Sequence, residues 1–137
     1  MTRRLLLPVL LFALPAMAAD PARDAAGVLT DLAAALTAGN VQEFLVPFDR
    51  SCPQYESLRA NVTALLAQAA TESYLDVVSN EGDAARRTLE ADWELRVQRP
   101  GDATISSRRQ VRVTCIVELR GKHWRIVQFR PVDFLAP

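Results

Sequence analysis

The chain has 137 residues, half of them hydrophobic, and its 16 basic and 16 acidic side chains give a net formal charge of zero. Because there is no basic excess, the composition predicts neither a nucleic acid nor an anionic membrane surface as a partner. Five glycines are too few for a phosphate-binding or dinucleotide-binding loop, and one histidine with two cysteines leaves too few ligands for a usual zinc site. We therefore expect no metal and no cofactor.

The first 18 residues have the pattern of a secretory signal peptide. Arg3 and Arg4 precede the apolar run Leu5–Leu14, and the small-residue sequence AMA at 16–18 follows it. This run is shorter than the roughly 20 residues that span a bilayer. The alternative is an uncleaved N-terminal anchor. We expect cleavage after Ala18, with Ala19 as a nearby alternative, and export to the periplasm or the outside of the cell. We then expect no stable membrane anchor and a single domain over residues 19–137.

Residues 20–69 have helical periodicity in three segments. Asp20 followed by proline is a typical helix start, and Gly39 is a typical stop after apolar residues that recur every three or four positions. Asn40 is a cap for a short second helix. The sequence SCPQ at 51–54 opens a third, amphipathic helix.

From Ser73 onward the apolar period changes to two, which is typical of strands. The segments 73–79, 85–98, 105–119 and 123–129 predict four antiparallel strands separated by tight turns. Pairing Val97 with Ile105 places Glu94 opposite Arg108 on the outer face of the sheet, where opposite charges pair favourably. Three helices followed by four such strands predict an α+β fold.

This order of elements resembles the NTF2-like superfamily, which includes the SnoaL-like proteins. The sequences that carry the resemblance are LTAGNVQEFLVPFD at 36–49 and HWRIVQFRPVDF at 123–134. The resemblance implies a cone in which the three N-terminal helices pack on a curved four-stranded antiparallel sheet and a ligand binds between them. The superfamily has no universal catalytic signature, so the resemblance implies no particular reaction.

The alternation of the strands assigns pocket candidates to the concave face of the sheet. The candidate ligand-pocket residues are Tyr74, Asp76, Arg87, Trp93, Ser107, Arg109, Trp124 and Gln128. Tyr74 and Asp76 face inward only if Glu81 and Gly82 form a two-residue turn, because a slip of one residue reverses the faces. His123, by the same alternation, faces outward at a hairpin. The two tryptophans are either a stacking platform or core residues.

Asp76 is the candidate catalytic residue. A carboxylate among apolar walls acts as an acid or base when its pKa is raised, and Arg87 or Arg109 would bind an anionic group beside it. The inner face offers no second carboxylate and no histidine, so we favour an internal Asp76–Arg87 ion pair instead. No nucleophile motif is present.

We therefore predict non-catalytic binding of a small apolar or anionic ligand, or of a protein partner. The first alternative is a SnoaL-like isomerase or hydrolase that uses Asp76. The second alternative is a dimeric accessory subunit that associates through the outer face of the sheet.

Two cysteines, Cys52 and Cys115, leave two interpretations open. In an oxidising compartment an even pair predicts a disulfide, which would stabilise the fold by about 4 kcal/mol according to the chain-entropy account. The alternative is a pair of buried thiols that pack as small hydrophobic groups.

Overall fold

The computed structural model describes residues 20–101 and 106–137 and confirms the predicted order of helices and strands. The elements are α1 (Pro21–Ala38), α2 (Val41–Leu45), α3 (Tyr55–Gln68), β1 (Ala70–Gly82), β2 (Arg86–Gln98), β3 (Ser106–Arg120), β4 (His123–Arg130) and a 3₁₀ turn, Asp133–Leu135. Within the two described ranges, no helix is long and apolar enough to cross a bilayer. The predicted signal peptide and Ile105 lie outside the described residues.

The predicted helix caps are confirmed by their hydrogen bonds. The carboxylate of Asp20 accepts a hydrogen bond from the backbone N–H of Arg23 at 3.2 Å, and the Asn40 side chain accepts one from the N–H of Glu43 at 3.1 Å. These bonds satisfy N–H groups that have no partner within the helix. Gly39 ends α1 in the left-handed conformation, with a φ of 70°.

The four strands form one antiparallel sheet in the order β1-β2-β3-β4, and the helices pack on its inner face. Val97 lies opposite Ser107 rather than Ile105, so the predicted β2–β3 register is wrong by two residues. Because side chains alternate with a period of two, a shift of two leaves every residue of these strands on its predicted face. The α+β fold class, with three helices on a curved four-stranded sheet, is therefore confirmed.

Two β-bulges change which side chains face the helices. In β1 the pairing shifts between Val77 and Ser79, so Val78 is an extra residue, and Leu75 faces inward beside Trp93. In β4 the pairing shifts at Val127. A single extra residue reverses the alternation beyond it, which is why both strands depart from their simple sequence pattern.

Aromatic side chains form the centre of the core. We call this group the aromatic cluster: Phe44, Phe48, Trp93, Phe129 and Phe134. Neighbouring ring centroids in it lie 5.4 to 6.3 Å apart, within the range in which aromatic pairs attract. Among the described residues, Thr71 is the only polar side chain that is buried. In the part of the chain that the structure describes, the fully buried side chains are therefore almost all apolar.

Candidate functional site

The aromatic cluster fills the space between the helices and the sheet, where the resemblance implies a ligand. Trp93 is only 1% exposed, and its ring centroid lies 5.6 Å from that of Phe134 and 6.2 Å from that of Phe129. The 3₁₀ turn after β4 brings Phe134 and Leu135 into the core. Trp93 is thus a core residue, and the protein's own side chains occupy the cone.

Arg109 anchors the C-terminal tail rather than lining an open pocket. Its guanidinium donates to the carbonyl oxygen of Phe134 at 2.8 Å and also to that of Ala136. From α3, the Asn61 side chain donates to the carbonyl oxygen of Val132 at 3.4 Å. The tail is therefore attached to both the sheet and a helix, and the cationic group that was predicted to bind an anion is occupied.

Arg87 holds the β1–β2 hairpin together. Its guanidinium donates to the side-chain oxygen of Asn80 at 2.7 Å, to the carbonyl oxygen of Asn80 at 3.2 Å and to that of Asp83 at 3.0 Å. The Asn80 amide in turn donates to the carbonyl oxygen of Ala22 at 2.7 Å, which joins the hairpin to α1. The predicted Asp76–Arg87 ion pair is therefore wrong, because Arg87 binds these groups instead.

Asp76 and Tyr74 lie on the outer face of the sheet, so their predicted inward placement is wrong. Asp76 is exposed opposite Asp92, and Tyr74 is 50% exposed opposite Glu94. The physical reason is the bulge at Val78, which reverses the side-chain alternation of β1 relative to its hairpin end. The candidate acid is thus open to water.

Two further candidates also lie apart from the cone. Gln128 faces outward, contrary to the prediction, because the bulge at Val127 places Phe129 inward in its stead. Ser107 is exposed opposite Val97 near the end of the sheet. The structure therefore does not bring the predicted pocket residues together around one site.

An open cleft of about 920 Å³ lies between α1 and the hairpin that joins β3 to β4. We call it the α1–hairpin cleft; its two walls are residues 21–31 of α1 and residues 119–125 of the hairpin. Val28 and Trp124 are buried in its floor. Val46, which is 64% exposed, and Leu119, which is 39% exposed, stand at its rim. An aromatic floor with exposed apolar groups around it is typical of a ligand site.

Backbone hydrogen bonds fix the hairpin wall of this cleft. The N–H of Ile126 donates to the carbonyl oxygen of Pro47 at 2.9 Å, and the N–H of Asp49 donates to that of Ile126 at 2.9 Å. At the other end, the N–H of Leu119 donates to the carbonyl oxygen of Ala85 at 2.8 Å. The hairpin is thus held by the segment after α2 and by the β1–β2 hairpin, so the cleft is a preformed part of the fold.

Sequence reasoning missed this cleft because it considered only the two faces of the sheet. His123 is exposed, as predicted, yet it lines the cleft at the end of the sheet, where a hairpin faces a helix. The only available signal was Trp124, which the alternation placed among the pocket candidates. The α1 residues of the opposite wall gave no signal, since their spacing is that of any helix surface.

The outer face of the sheet is divided by charge. Acidic groups dominate the outward side of β1 and β2, and basic groups that of β3 and β4. The carboxylates of the first half are Glu72, Asp76, Glu81, Glu90, Asp92 and Glu94, beside Arg86 and Arg96; the guanidinium groups of the second half are Arg108, Arg112, Arg120, Arg125 and Arg130, beside Glu118.

Ion pairs join the two halves of this face at the centre of the sheet. The Arg112 guanidinium donates to both carboxylate oxygens of Asp92, at 2.9 and 3.0 Å, and lowers the pKa of that carboxyl group. Arg108 pairs with Glu94 at 3.0 Å. The charges on the outer strands β1 and β4 have fewer such partners.

Cys52 and Cys115, for which the sequence left a disulfide and a pair of buried thiols open, are buried free thiols in the structure. The Cys52 thiol donates to the side-chain oxygen of Gln54 at 3.4 Å, and the same oxygen accepts a hydrogen bond from the N–H of Phe129 at 3.2 Å. Phe129 is the strand partner of Cys115. Both thiols therefore lie beside Phe129 in the core, and burial raises the pKa of each.

No protein-family model matches the chain, and no curated protein matches it. Solved structures do. A conserved protein from Planctomyces limnophilus superposes with a TM-score of 0.70 at 8% identity, over 78% of this chain and 91% of that one. An NTF-2 like protein of unknown function from Shewanella oneidensis gives 0.62 at 12% identity, over 80% and 96%. The chain has an NTF2-like fold.

A ketosteroid isomerase-like protein from Erwinia carotovora atroseptica shares this NTF2-like fold, with a TM-score of 0.66 at 5% identity over 80% of this chain and 93% of that one. At identities this low, the superpositions establish a common architecture and nothing about activity. Because NTF2-like domains with the same architecture need not share chemistry, the activity has to be argued from the site itself.

Proposed function

We propose that the protein binds a small ligand without reacting with it, and that the ligand lies in the α1–hairpin cleft. The observation that carries this proposal is that the α1–hairpin cleft, and not the cone, is the open concave region. The cone is filled by the aromatic cluster, whereas the α1–hairpin cleft is open, has an apolar floor and measures about 920 Å³. Ligand sites generally have volumes of about 300–1,000 Å³ and combine apolar surface with a small number of polar groups.

The placement of the acidic residues favours binding over the SnoaL-like isomerase or hydrolase. General acid–base chemistry inside the cone needs a carboxylate or imidazole there, with a pKa shifted by its apolar surroundings. Among the described residues, no carboxylate and no histidine is buried, and Asp76 is exposed on the outer face. Asp76 therefore does not lie in the cone, where the isomerase or hydrolase alternative needs its acid or base.

Gly27 offers a way to block the α1–hairpin cleft without disturbing the core. It lies in the α1 wall, and a Cβ atom added there meets no other atom within 4 Å. Gly27→Met extends a flexible apolar side chain from this wall. Gly27→Ala is the matched control, since it gives the same gain in helix stability, about 0.5–1 kcal/mol, with little added volume.

Native mass spectrometry of protein purified from its own compartment tests the proposal. We expect a small molecule to be retained by the wild type and by Gly27→Ala but lost from Gly27→Met. Retention by Gly27→Met at the wild-type level would place the ligand elsewhere and refute the proposal. Circular dichroism of all three proteins checks that each is folded.

A second candidate is a dimeric accessory subunit, which the divided charge of the outer face favours. In a face-to-face dimer, a two-fold axis that runs parallel to the strands, between the two outer faces, would place the acidic half of one copy against the basic half of the other. Such an interface depends on charge and weakens in salt. Light scattering should then show dimers at low ionic strength that dissociate at about 0.5 M salt. A monomer at high micromolar concentration and low salt would exclude this candidate.

Arg130 provides a direct probe of that interface. It is exposed at the edge of the basic half, so Arg130→Glu places a carboxylate where the acidic half of a second copy would lie. We expect this variant to be monomeric at low salt. Arg59→Glu on α3, away from the outer face, is the control that should leave the association unchanged.

We also propose that residues 1–18 direct export and that the exported protein can form a Cys52–Cys115 disulfide. The support is the signal-peptide pattern and the position of both thiols beside Phe129. N-terminal sequencing of the exported protein should begin at Ala19, and a cytoplasmic full-length chain would contradict export. Mass spectrometry without reductant should show a loss of two hydrogens, and two labelled thiols in the unfolded, unreduced protein would exclude the disulfide.

A further inference from the structure

We propose, on the basis of the proposed function, that the ligand of the α1–hairpin cleft is a short peptide with free ends and apolar side chains. The two walls of the cleft carry opposite charges, and the floor between them is apolar. A molecule that bears an ammonium group at one end and a carboxylate at the other, with hydrophobic groups between them, matches this arrangement.

The α1 wall presents two carboxylates. At 100° per residue, Asp24 and Asp31 project within about 20° of each other, and they stand about 10 Å apart along the helix axis. Both line the cleft and both are exposed. Arg23 also borders the cleft, but it lies about 100° around the helix from Asp24, at the edge of this stripe. The centre of the wall is therefore acidic.

The hairpin wall presents basic groups. Lys122 and His123 are exposed at its tip, and Arg125 follows them. The Arg125 guanidinium donates to the carbonyl oxygen of Val46 at 2.5 Å, which fixes a positive charge against this wall. Lys122 is thus the cation best placed to meet a ligand carboxylate.

The charges of the two walls do not pair with each other. Ion pairs between described residues lie on α3, on the outer face of the sheet and between Arg120 and Asp49. Neither Asp24 nor Asp31 takes part in them, and Lys122 does not either. A ligand with both signs of charge would supply partners to both walls, whereas a simple anion or cation would supply only one.

The floor and the volume of the cleft indicate that the part of the ligand between its charged ends is apolar, and they indicate its size. Val28 and Trp124 form the floor. Val46 and Leu119 are exposed at the rim, and covering them with an apolar ligand would favour binding because it removes apolar surface from water. Three extended residues span about 10 Å, so a tripeptide keeps its ammonium and carboxylate ends well apart. A volume of about 920 Å³ accommodates such a peptide with its side chains.

Calorimetric titration with a matched pair of peptides tests this proposal. Trileucine has both free ends, and N-acetyl-trileucine amide has the same apolar body without the terminal charges. We expect trileucine to bind the full-length mature protein and the capped peptide to bind at least tenfold more weakly. Equal affinities for the two peptides would overturn the assignment of a zwitterionic ligand.

Variants of the two walls identify where each end of the peptide lies. The double variant Asp24→Asn with Asp31→Asn, and separately Lys122→Gln, should each weaken trileucine binding about tenfold and should reduce the difference between the peptides. Glu90→Gln on the outer face is the control that should leave binding unchanged. Unchanged binding by both wall variants would overturn the proposal.

The Gly27 variants separate this proposal from the proposed function. Loss of trileucine binding in Gly27→Met, with binding kept in Gly27→Ala, supports both. A second outcome is that Gly27→Met loses the molecule retained by the wild type, while wild-type protein freed of that molecule does not bind trileucine. This outcome overturns the assignment of a peptide ligand and leaves the assignment of the site intact. Trileucine binding to Gly27→Met at wild-type strength overturns the assignment of the site as well.

Discussion

Two neighbouring arginines illustrate how the position of one residue decides its role. Arg109 is half-buried and donates to two carbonyl oxygens of the C-terminal tail. Arg108 points outward, with a side chain that is 58% exposed and pairs with Glu94. The hydrogen bonds of Arg109 stabilise the fold more than the exposed Arg108–Glu94 ion pair does, because water competes less for a half-buried donor.

We therefore expect Arg109→Met to lower the free energy of unfolding by about 1–3 kcal/mol, and Arg108→Met to lower it by no more than about 1 kcal/mol. Urea denaturation measures both. Hydrogen exchange should also accelerate at residues 134–136 in Arg109→Met and not in Arg108→Met. Equal losses of stability with unchanged exchange in the tail would show that Arg109 does not anchor it.

Cys115 gives a second prediction at this scale. Burial raises the pKa of its thiol, so the reactive thiolate is scarce and the sulfur atom is also inaccessible. In reduced protein of the variant Cys52→Ser, Cys115 should react with a thiol reagent at pH 8 only after unfolding by urea. Stoichiometric labelling within minutes under native conditions would contradict its buried position.

Two glycines with positive φ allow a graded prediction at the scale of the element. Gly82 has a φ of 146°, and a Cβ atom there would lie 2.2 Å from the carbonyl oxygen of Arg86. Gly39 has a φ of 70°, but its added Cβ meets nothing within 4 Å. The first substitution adds a backbone clash to the conformational strain, whereas the second adds strain alone.

Thermal and urea unfolding should therefore rank the two alanine variants. Gly39→Ala should lose about 1 kcal/mol, the cost of a left-handed conformation for a residue with a Cβ atom. Gly82→Ala should lose clearly more, since the β1–β2 hairpin must open to relieve the contact. If Gly82→Ala lowered the free energy of unfolding less than Gly39→Ala does, the backbone around Gly82 would be packed less closely than in the structure.

The bulges explain which strand positions could be predicted from the sequence and which could not. In β2 the alternation is unbroken, so the inward placement of Trp93 follows directly from the pattern. In β1 and β4, one extra residue at Val78 and one at Val127 reverse the faces, which moves Asp76 and Gln128 outward. Each valine follows another β-branched residue, Val77 or Ile126, and shares its high β propensity, so propensity gives no signal for a bulge.

For the whole molecule, the order of the elements was predictable and the location of the open concavity was not. Caps at Asp20 and Asn40 and the stop at Gly39 are local signals, and each acts through hydrogen bonds within a few residues. The α1–hairpin cleft depends on how a helix faces a hairpin about a hundred positions later in the chain. That relation is set by packing of the core, which periodicity does not describe.

The central claim is that the cone is filled and that the α1–hairpin cleft is open. The only two tryptophans of the chain report on these two regions, Trp93 in the cone and Trp124 in the floor of the cleft. Trp93→Phe and Trp124→Phe each keep an aromatic ring and leave one fluorophore. Trichloroethanol is a small apolar quencher that can enter an open cleft.

Fluorescence quenching of these two single-tryptophan variants by trichloroethanol is the most direct test. We predict saturable quenching of Trp124, reduced when Gly27→Met is added, and only weak, unsaturable quenching of Trp93. Saturable quenching of Trp93, with Trp124 unaffected, would show that the open site lies in the cone and would contradict the account.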